Sequence, residues 1–354
     1  LNTFLSDTDE ALRQEFERFA QDKLAPLASG LVKGSSNLID FYKLLEQANY
    51  LSFNVPAEFG GKGGSFLQAA LLVEALASCE VGAAVSLAYH VACVELIKQY
   101  GSDEQKETYL PKLVSGELLG TVAHMQDQGN ILLVLGEFPV KTSLILVFTS
   151  GNFFFLSDSK NAKITSRAKS MALHSIHFAD LVVDESFSDK NFQLGGSRPD
   201  IEIPSEKLQF AQDVVKTLLA MAAVGMSQSV LNQTVAYAKS GQHQGRALAS
   251  SEAVQWKLAD LSVESNAARL LAYRAIWSKE ADRQNFAQYA SMCKAYASRV
   301  ARFHSGEALQ ILLPLLNNSD SHVARFYLDG KMLETFEITN EVEKVLLSNR
   351  LGIN

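Results

Sequence analysis

The chain has 354 residues, 47% of them hydrophobic, which is more than one core needs, so two or three packed units are expected. A formal net charge of −7 without any long Lys/Arg run disfavours a nucleic-acid backbone or an anionic membrane surface as partner, because both call for clustered positive charge. The three cysteines, Cys79, Cys93 and Cys293, are odd in number and lack CxxC spacing, which speaks against a disulfide framework or a structural zinc site and leaves them as small buried apolar residues. No apolar run approaches the ~18 residues of a membrane span, and a soluble, cytoplasmic protein is expected.

In chain order, Ser6 with Asp9 three residues on reads as a helix start, and Leu12, Phe16, Phe19 and Leu24 then recur at helical spacing. The same periodicity continues over Phe41–Ala48, Leu67–Ala77 and Ala88–Tyr100, broken by Gly60, Gly61, Gly63 and Gly64. That glycine cluster lacks a following Lys-Ser/Thr, so it reads as a turn rather than a phosphate loop. From Leu118 to Pro204 the character changes. Ile131–Gly136, Ser143–Ser150, Phe153–Leu156 and Phe178–Asp184 are β-branched or aromatic runs and are read as strands. After Pro204 long helical periods return, to Lys239, then over Glu252–Lys279 and Gln284–Leu313, which predicts an antiparallel bundle. Trp256, Leu258 and Leu261 are expected to form an apolar stripe inside it.

Among the histidines, His90 lies in an apolar helical stretch and reads as a satisfied core residue. His174 and His177 have no Cys or Asp partner at ligand spacing, so no metal site is expected. No GxSxG, HExxH or Ser-His-Asp arrangement supports a hydrolase.

The segment Phe53-Asn54-Val55-Pro56-Ala57-Glu58-Phe59-Gly60-Gly61-Lys62-Gly63 resembles the "VPEEYGGxG" passage of the acyl-CoA dehydrogenase family. Similar matches follow in family order: Tyr100-Gly101-Ser102-Asp103-Glu104-Gln105-Lys106, then Ala253 to Asp260, then Arg269 to Ala275. The resemblance implies a mainly α fold with a small β-domain. On that resemblance, residues 1–117 are expected to form an N-terminal helical domain, 118–204 a shortened middle β-domain and 205–354 a C-terminal four-helix bundle. It also implies oligomeric assembly, and the family includes hetero-oligomers in which only one subunit type holds flavin.

In that family a carboxylate removes the α-proton of an acyl-CoA thioester and the β-hydrogen passes as hydride to FAD. Glu337, in Phe336-Glu337-Ile338-Thr339-Asn340-Glu341, stands where the "YEGTNE" glutamate stands and is the candidate catalytic base. The competing structural expectation puts Glu337 in the first turn of a final helix running to Asn349, where a carboxylate is favourable anyway.

The flavin contacts do not carry over. Met125 replaces the threonine hydroxyl of "ALTEPGAGSD" and cannot donate a hydrogen bond. Gly241 and Gln244 replace the arginine and aromatic ring of "RxQFG", Ser251-Glu252 replaces "FQ", and Leu313-Pro314 replaces the glycine pair of "LHGGxG". An arginine fork on phosphate is worth ~1.5–3 kcal/mol, none of which a glycine supplies. Both tryptophans, Trp256 and Trp277, lie in the bundle, so the β unit lacks the family's "WITN" turn.

The expected function is therefore an acyl-CoA dehydrogenase-like structural or regulatory subunit with a degenerate FAD site and no cofactor. It would be a homo-oligomer, or a hetero-oligomer with an active paralogue, with acyl-CoA as a candidate ligand and neither nucleic acid nor membrane as partner. The alternative is a divergent FAD-dependent acyl-CoA dehydrogenase with Glu337 as base. A third expectation is flavin-free isomerisation of a thioester by Glu337 alone.

Overall fold

The computed structural model describes residues 5–125, 130–135, 143–149, 152–156, 162–168, 170–183, 193–195, 204–243, 245–312 and 322–353. Ser6 caps α1 (Asp7–Phe19), its Oγ accepting the Asp9 N–H at 3.1 Å, and Phe16 points into the core. A π-turn (Ala20–Leu24) leads into α2 (Ala25–Lys33), and Asn37 caps α3 (Leu38–Gln47). The glycine-rich loop folds back on itself, the N–H groups of Lys62, Gly63 and Gly64 donating to the carbonyls of Ser52, Val55 and Phe53. It is a turn, as its composition predicts.

Ser65 and Ser102 open α4 (Phe66–Ala77) and α6 (Asp103–Val114) with full capping boxes to Gln68 and Gln105. Between them runs α5 (Val81–Tyr100), apolar nearly all round and correspondingly buried from Val81 to Ile97. Its central polar group, Glu95, accepts from Asn54 at 2.9 Å and pairs with Lys98 and Lys279 at 2.7 Å each. Burial alone would raise the Glu95 pKa, but the two ammonium groups outweigh it and hold it low.

Six of the described strands form one sheet of order β4-β3-β1-β2-β6-β5, comprising β1 (Leu119–Met125), β2 (Asn130–Leu135), β3 (Ser143–Thr149), β4 (Asn152–Leu156), β5 (Ala162–Ala168) and β6 (His177–Val183). Only the β1–β3 pair is parallel. The bundle follows: α7 (Pro204–Ser240), α8 (Glu252–Ala281), α9 (Arg283–Ile311), α10 (His322–Thr335) and α11 (Asn340–Arg350). A two-stranded hairpin, β7 (Gln242–His243) and β8 (Arg246–Ala247), joins α7 to α8.

Contrary to the sequence expectation, two helices among the described residues are long and apolar enough to cross a membrane, Val81–Tyr100 and Glu206–Ser240. Their apolar windows are 94% and 89% buried inside the protein, as core helices are. Trp256 also departs from expectation: Leu261 is buried, but Trp256 faces solvent.

Asp329 ties α10 to the loop before β6, its Oδ1 accepting the Leu173 N–H at 2.7 Å. Burial, then the nearby Glu80 carboxylate, raises its pKa to about 7. The folded state therefore holds this proton more tightly than the unfolded chain. The resulting stability is present below pH ~4 and is lost as pH rises through about 7. Asp329→Asn keeps the acceptor without the charge, so its unfolding free energy should gain on the wild type between pH 5 and pH 8, by an amount on the order of 2–4 kcal/mol. A difference that does not change with pH would contradict this.

Candidate functional site

Glu337 is not in the last helix. Thr339 is the N-cap of α11, and the acidic residues of its first turn are Glu341 and Glu343. Glu337 instead sits at the tip of the turn joining α10 to α11, with φ 61°, and the Ile338 N–H donates to the Phe336 carbonyl across it at 2.8 Å. A three-residue turn with positive φ at its centre is a strained γ-turn, costing a non-glycine residue about 1–2 kcal/mol. The surrounding structure has to hold it.

Lys294 of α9 does much of this. Almost fully buried, its ammonium donates to the Glu334 carbonyl at 3.1 Å, to the Asn340 Oδ1 at 3.0 Å and to the Ile338 carbonyl. These acceptors lie on both sides of Glu337, so one cation fixes the end of α10, the turn and the start of α11. Burial lowers the Lys294 pKa to about 8, against the opposing pull of nearby carboxylates led by Glu343. Asn340 completes the fastening, donating to the Ala295 carbonyl at 3.2 Å and to Ser298 Oγ at 2.9 Å.

The Glu337 carboxylate itself receives the Tyr89 hydroxyl of α5 at 2.6 Å, and the Tyr89 ring meets Phe336 edge-on at 6.0 Å. Burial, reinforced by Glu337, pushes the Tyr89 pKa well up, so the phenol stays protonated and donates. Behind the turn lies a second buried charge group. Lys216 of α7 stands 3.2 Å from Glu343 and 3.5 Å from Asp213, all three essentially without solvent contact. Burial raises the Asp213 pKa to about 6. The Lys216–Glu343 contact is an ion pair without hydrogen-bond geometry, and both Glu343 oxygens lack a hydrogen-bond partner among the described residues.

Sequence reasoning found Glu337 and missed Tyr89, Lys216 and Lys294. A signal was available. Lys216 interrupts Val214, Val215, Leu218 and Leu219, and Lys294 interrupts Ala290 and Ala297, each a lysine on an otherwise apolar helix face.

His90 accepts the Gly120 N–H on Nδ1 at 3.0 Å. Burial lowers its pKa to about 4, so it is a neutral core histidine, with Nε2 lacking a hydrogen-bond partner among the described residues.

One described position tests the fit of FAD; the side chain of Met125, at the end of β1, lies outside the described ones. At Gly241 the chain is closed up: its N–H donates to the Tyr237 carbonyl at 2.6 Å, and a Cβ would lie 2.9 Å from that oxygen and 3.1 Å from Leu248 Cδ1. No side chain fits there without a shift, and the hairpin's remaining described cation, Arg246, is exposed. This position supplies no side-chain contact to a cofactor phosphate. The other expected contacts at Gln126–Gly129, Gln244 and Leu313–Leu316 lie outside the described residues.

Comparison with known proteins agrees with the architecture. The family profile for the acyl-CoA dehydrogenase N-terminal domain matches residues 6–117 and that for the C-terminal domain matches residues 213–352. The acryloyl-CoA reductase (NADH) of Anaerotignum propionicum is 26% identical, the alignment covering 98% of this chain and 95% of that protein. The butyryl-CoA dehydrogenase structure from Megasphaera elsdenii superposes with a TM-score of 0.84 at 24% identity, covering 98% of each chain. An FAD complex of PigA superposes with a TM-score of 0.84 at 21% identity, over 99% of this chain and 98% of that one. With two helical parts around a small sheet and both terminal profiles matched in order, the chain belongs to the acyl-CoA dehydrogenase family.

Proposed function

We propose that this chain is a family member that does not hold FAD and acts as a structural or regulatory subunit, alone or beside an active paralogue. The observation that carries this reading is the closed backbone at Gly241, where the arginine that pairs with the cofactor's phosphates would stand. The absence of a donor at Met125 supports it from the flavin-ring end. Losing several such contacts weakens binding by about tenfold per 1.4 kcal/mol. Incubated with FAD, an electron-accepting dye and butyryl-, isovaleryl- or glutaryl-CoA, the purified protein should reduce no dye. Turnover that disappears in Glu337→Gln would overturn the reading.

One observation favours the alternative, a divergent FAD-dependent dehydrogenase oxidising the Cα–Cβ bond of an acyl thioester. The strained turn at Glu337 is kept, together with the Lys294 and Tyr89 contacts that hold it. Strain maintained by surrounding structure concentrates at functional sites. In the proposed reading the same contacts join α5, α9, α10 and α11 and serve the fold.

A further inference from the structure

A cavity of about 470 Å³ opens where α1 and the π-turn meet α4, α7 and the start of α10. None of its lining residues belongs to the Glu337 turn or to the hairpin at Gly241. Glu17, Gln21, Glu74, Gln228, Asn232 and Gln233 supply most of its polar wall, and no Lys or Arg side chain lines it. The volume is within the ~300–1,000 Å³ of small-molecule sites.

The unfilled positions in this wall are acceptors. Glu74 is only 7% exposed. Its Oε1 receives the Arg269 guanidinium of α8 at 2.8 and 2.9 Å, while Oε2 is buried without a hydrogen-bond partner among the described residues. A buried carboxylate oxygen left unpaired is costly, and such an atom beside a cavity calls for a donor inside it. Two neighbouring amides present the same face. Gln21 Nε2 donates to Cys79 Sγ at 3.4 Å and Gln233 Nε2 to Ser229 Oγ at 3.1 Å, so the described hydrogen bonds engage their nitrogens and not their oxygens.

The charges agree with the hydrogen bonds. Arg13 pairs with Glu10 and Glu17, Arg269 pairs with Glu74, and the field of Glu74 also reaches Arg13. In this group three carboxylates meet two guanidinium groups, which leaves one negative charge unmatched, and two of the three carboxylates line the cavity.

We propose that the cavity binds a short aliphatic ammonium ion, of the class of a diamine or an amino alcohol, whose N–H groups donate to Glu74 Oε2 and to the side-chain oxygens of Gln21 and Gln233. An ammonium group carries three donors and no acceptor, the complement of this set. Its methylene chain lies along Ala25, Ala75 and Gly225, the small apolar residues of the same wall. An anion would meet unmatched negative charge, and a neutral alcohol would leave that charge uncompensated. A bare metal ion needs a tighter set of ligands, and no group of three His, Cys, Asp or Glu residues able to hold one occurs among the described residues. Occupation of the site ties α1 and α4 to α7 and stabilises the folded chain by mass action. The proposal does not depend on whether flavin binds.

Isothermal titration calorimetry of the full chain with putrescine and with aminobutanol, at matched ionic strength, should show saturable binding of one amine per chain. Butanediol, the neutral isostere, should bind at least tenfold more weakly. Two variants locate the site. In Glu74→Gln the side chain can still accept from Arg269, but a donor replaces the free acceptor, so amine binding should fall at least tenfold. Ser229→Phe fills the cavity from a half-buried position on α7 and should abolish binding with circular dichroism unchanged; it decides alone if the Glu74 variant does not fold. Absence of heat with both amines, butanediol binding as tightly as putrescine, or amine binding that survives in either folded variant overturns the proposal. Non-specific attraction of amines to an acidic chain belongs to the last of these outcomes.

Discussion

Lys216→Met should lower stability by about 3–5 kcal/mol above pH 7, the usual cost of removing one partner from a buried ion pair. Lys216 is the cation between Asp213 and Glu343, and all three side chains are essentially fully buried. Without it, two carboxylates face each other in a dry site where α7 meets α11. The loss should shrink on acidification. The Asp213 pKa is raised to about 6 by burial, so near pH 5 that carboxyl is already largely neutral and needs the cation less. Chemical denaturation at pH 5 and pH 8 measures the difference directly. Equal losses at both values, or a loss below about 1 kcal/mol at pH 8, would remove the cluster from the account. Asp213→Asn in the same background should restore part of the stability, since it deletes one of the stranded charges.

The second large effect is steric. Gly225→Ala should destabilise by about 3 kcal/mol, because α7 crosses α4 at that point with no space for a methyl group. The added Cβ would lie 2.0 Å from the Glu74 carbonyl oxygen and 2.9 Å from its carbon, both backbone atoms that cannot rotate away. Moving α4 also disturbs the Glu74 side chain, whose carboxylate pairs with Arg269 of α8 at 2.8 Å. Gly306→Ala is the control. Its Cβ would meet only the Tyr327 ring at 3.4 Å, an ordinary contact, and alanine in place of a helical glycine is favourable by about 0.5–1 kcal/mol. Thermal melts should therefore move in opposite directions for the two variants.

Much of the architecture is legible in the sequence because it follows local periodicity. Strands read at 131–136, 143–150, 153–156 and 178–184 correspond to β2, β3, β4 and β6 within one or two residues. Four strands escaped, two of them the two-residue strands β7 and β8 of the hairpin, too short to show a period. β5 reads AKITSRA, whose lysine, serine and arginine hide the alternation, and β1 follows directly on a helix whose pattern masks its start. The separate helix α10 was also missed, since the turn after it depends on tertiary contacts rather than on a glycine or proline.

The site was legible only in part, for the same reason. Glu337 can be found by motif, but its position outside α11 follows from Lys294 and from the contacts of Asn340 with Ala295 and Ser298, which fasten the turn to α9 across 40 to 45 residues of sequence. Trp256 was misread because an aromatic residue beside Leu258 and Leu261 suggests core. Burial shows the helix turned so that Leu261 faces inward and Trp256 outward.

The central claim is that this chain keeps the family's scaffold without its flavin. It is tested most directly by the absorbance spectrum of the purified protein, taken as isolated and again after incubation with excess FAD and desalting. The account predicts no flavin bands in either spectrum. Flavin absorbance at near-stoichiometric yield, surviving desalting, would contradict it.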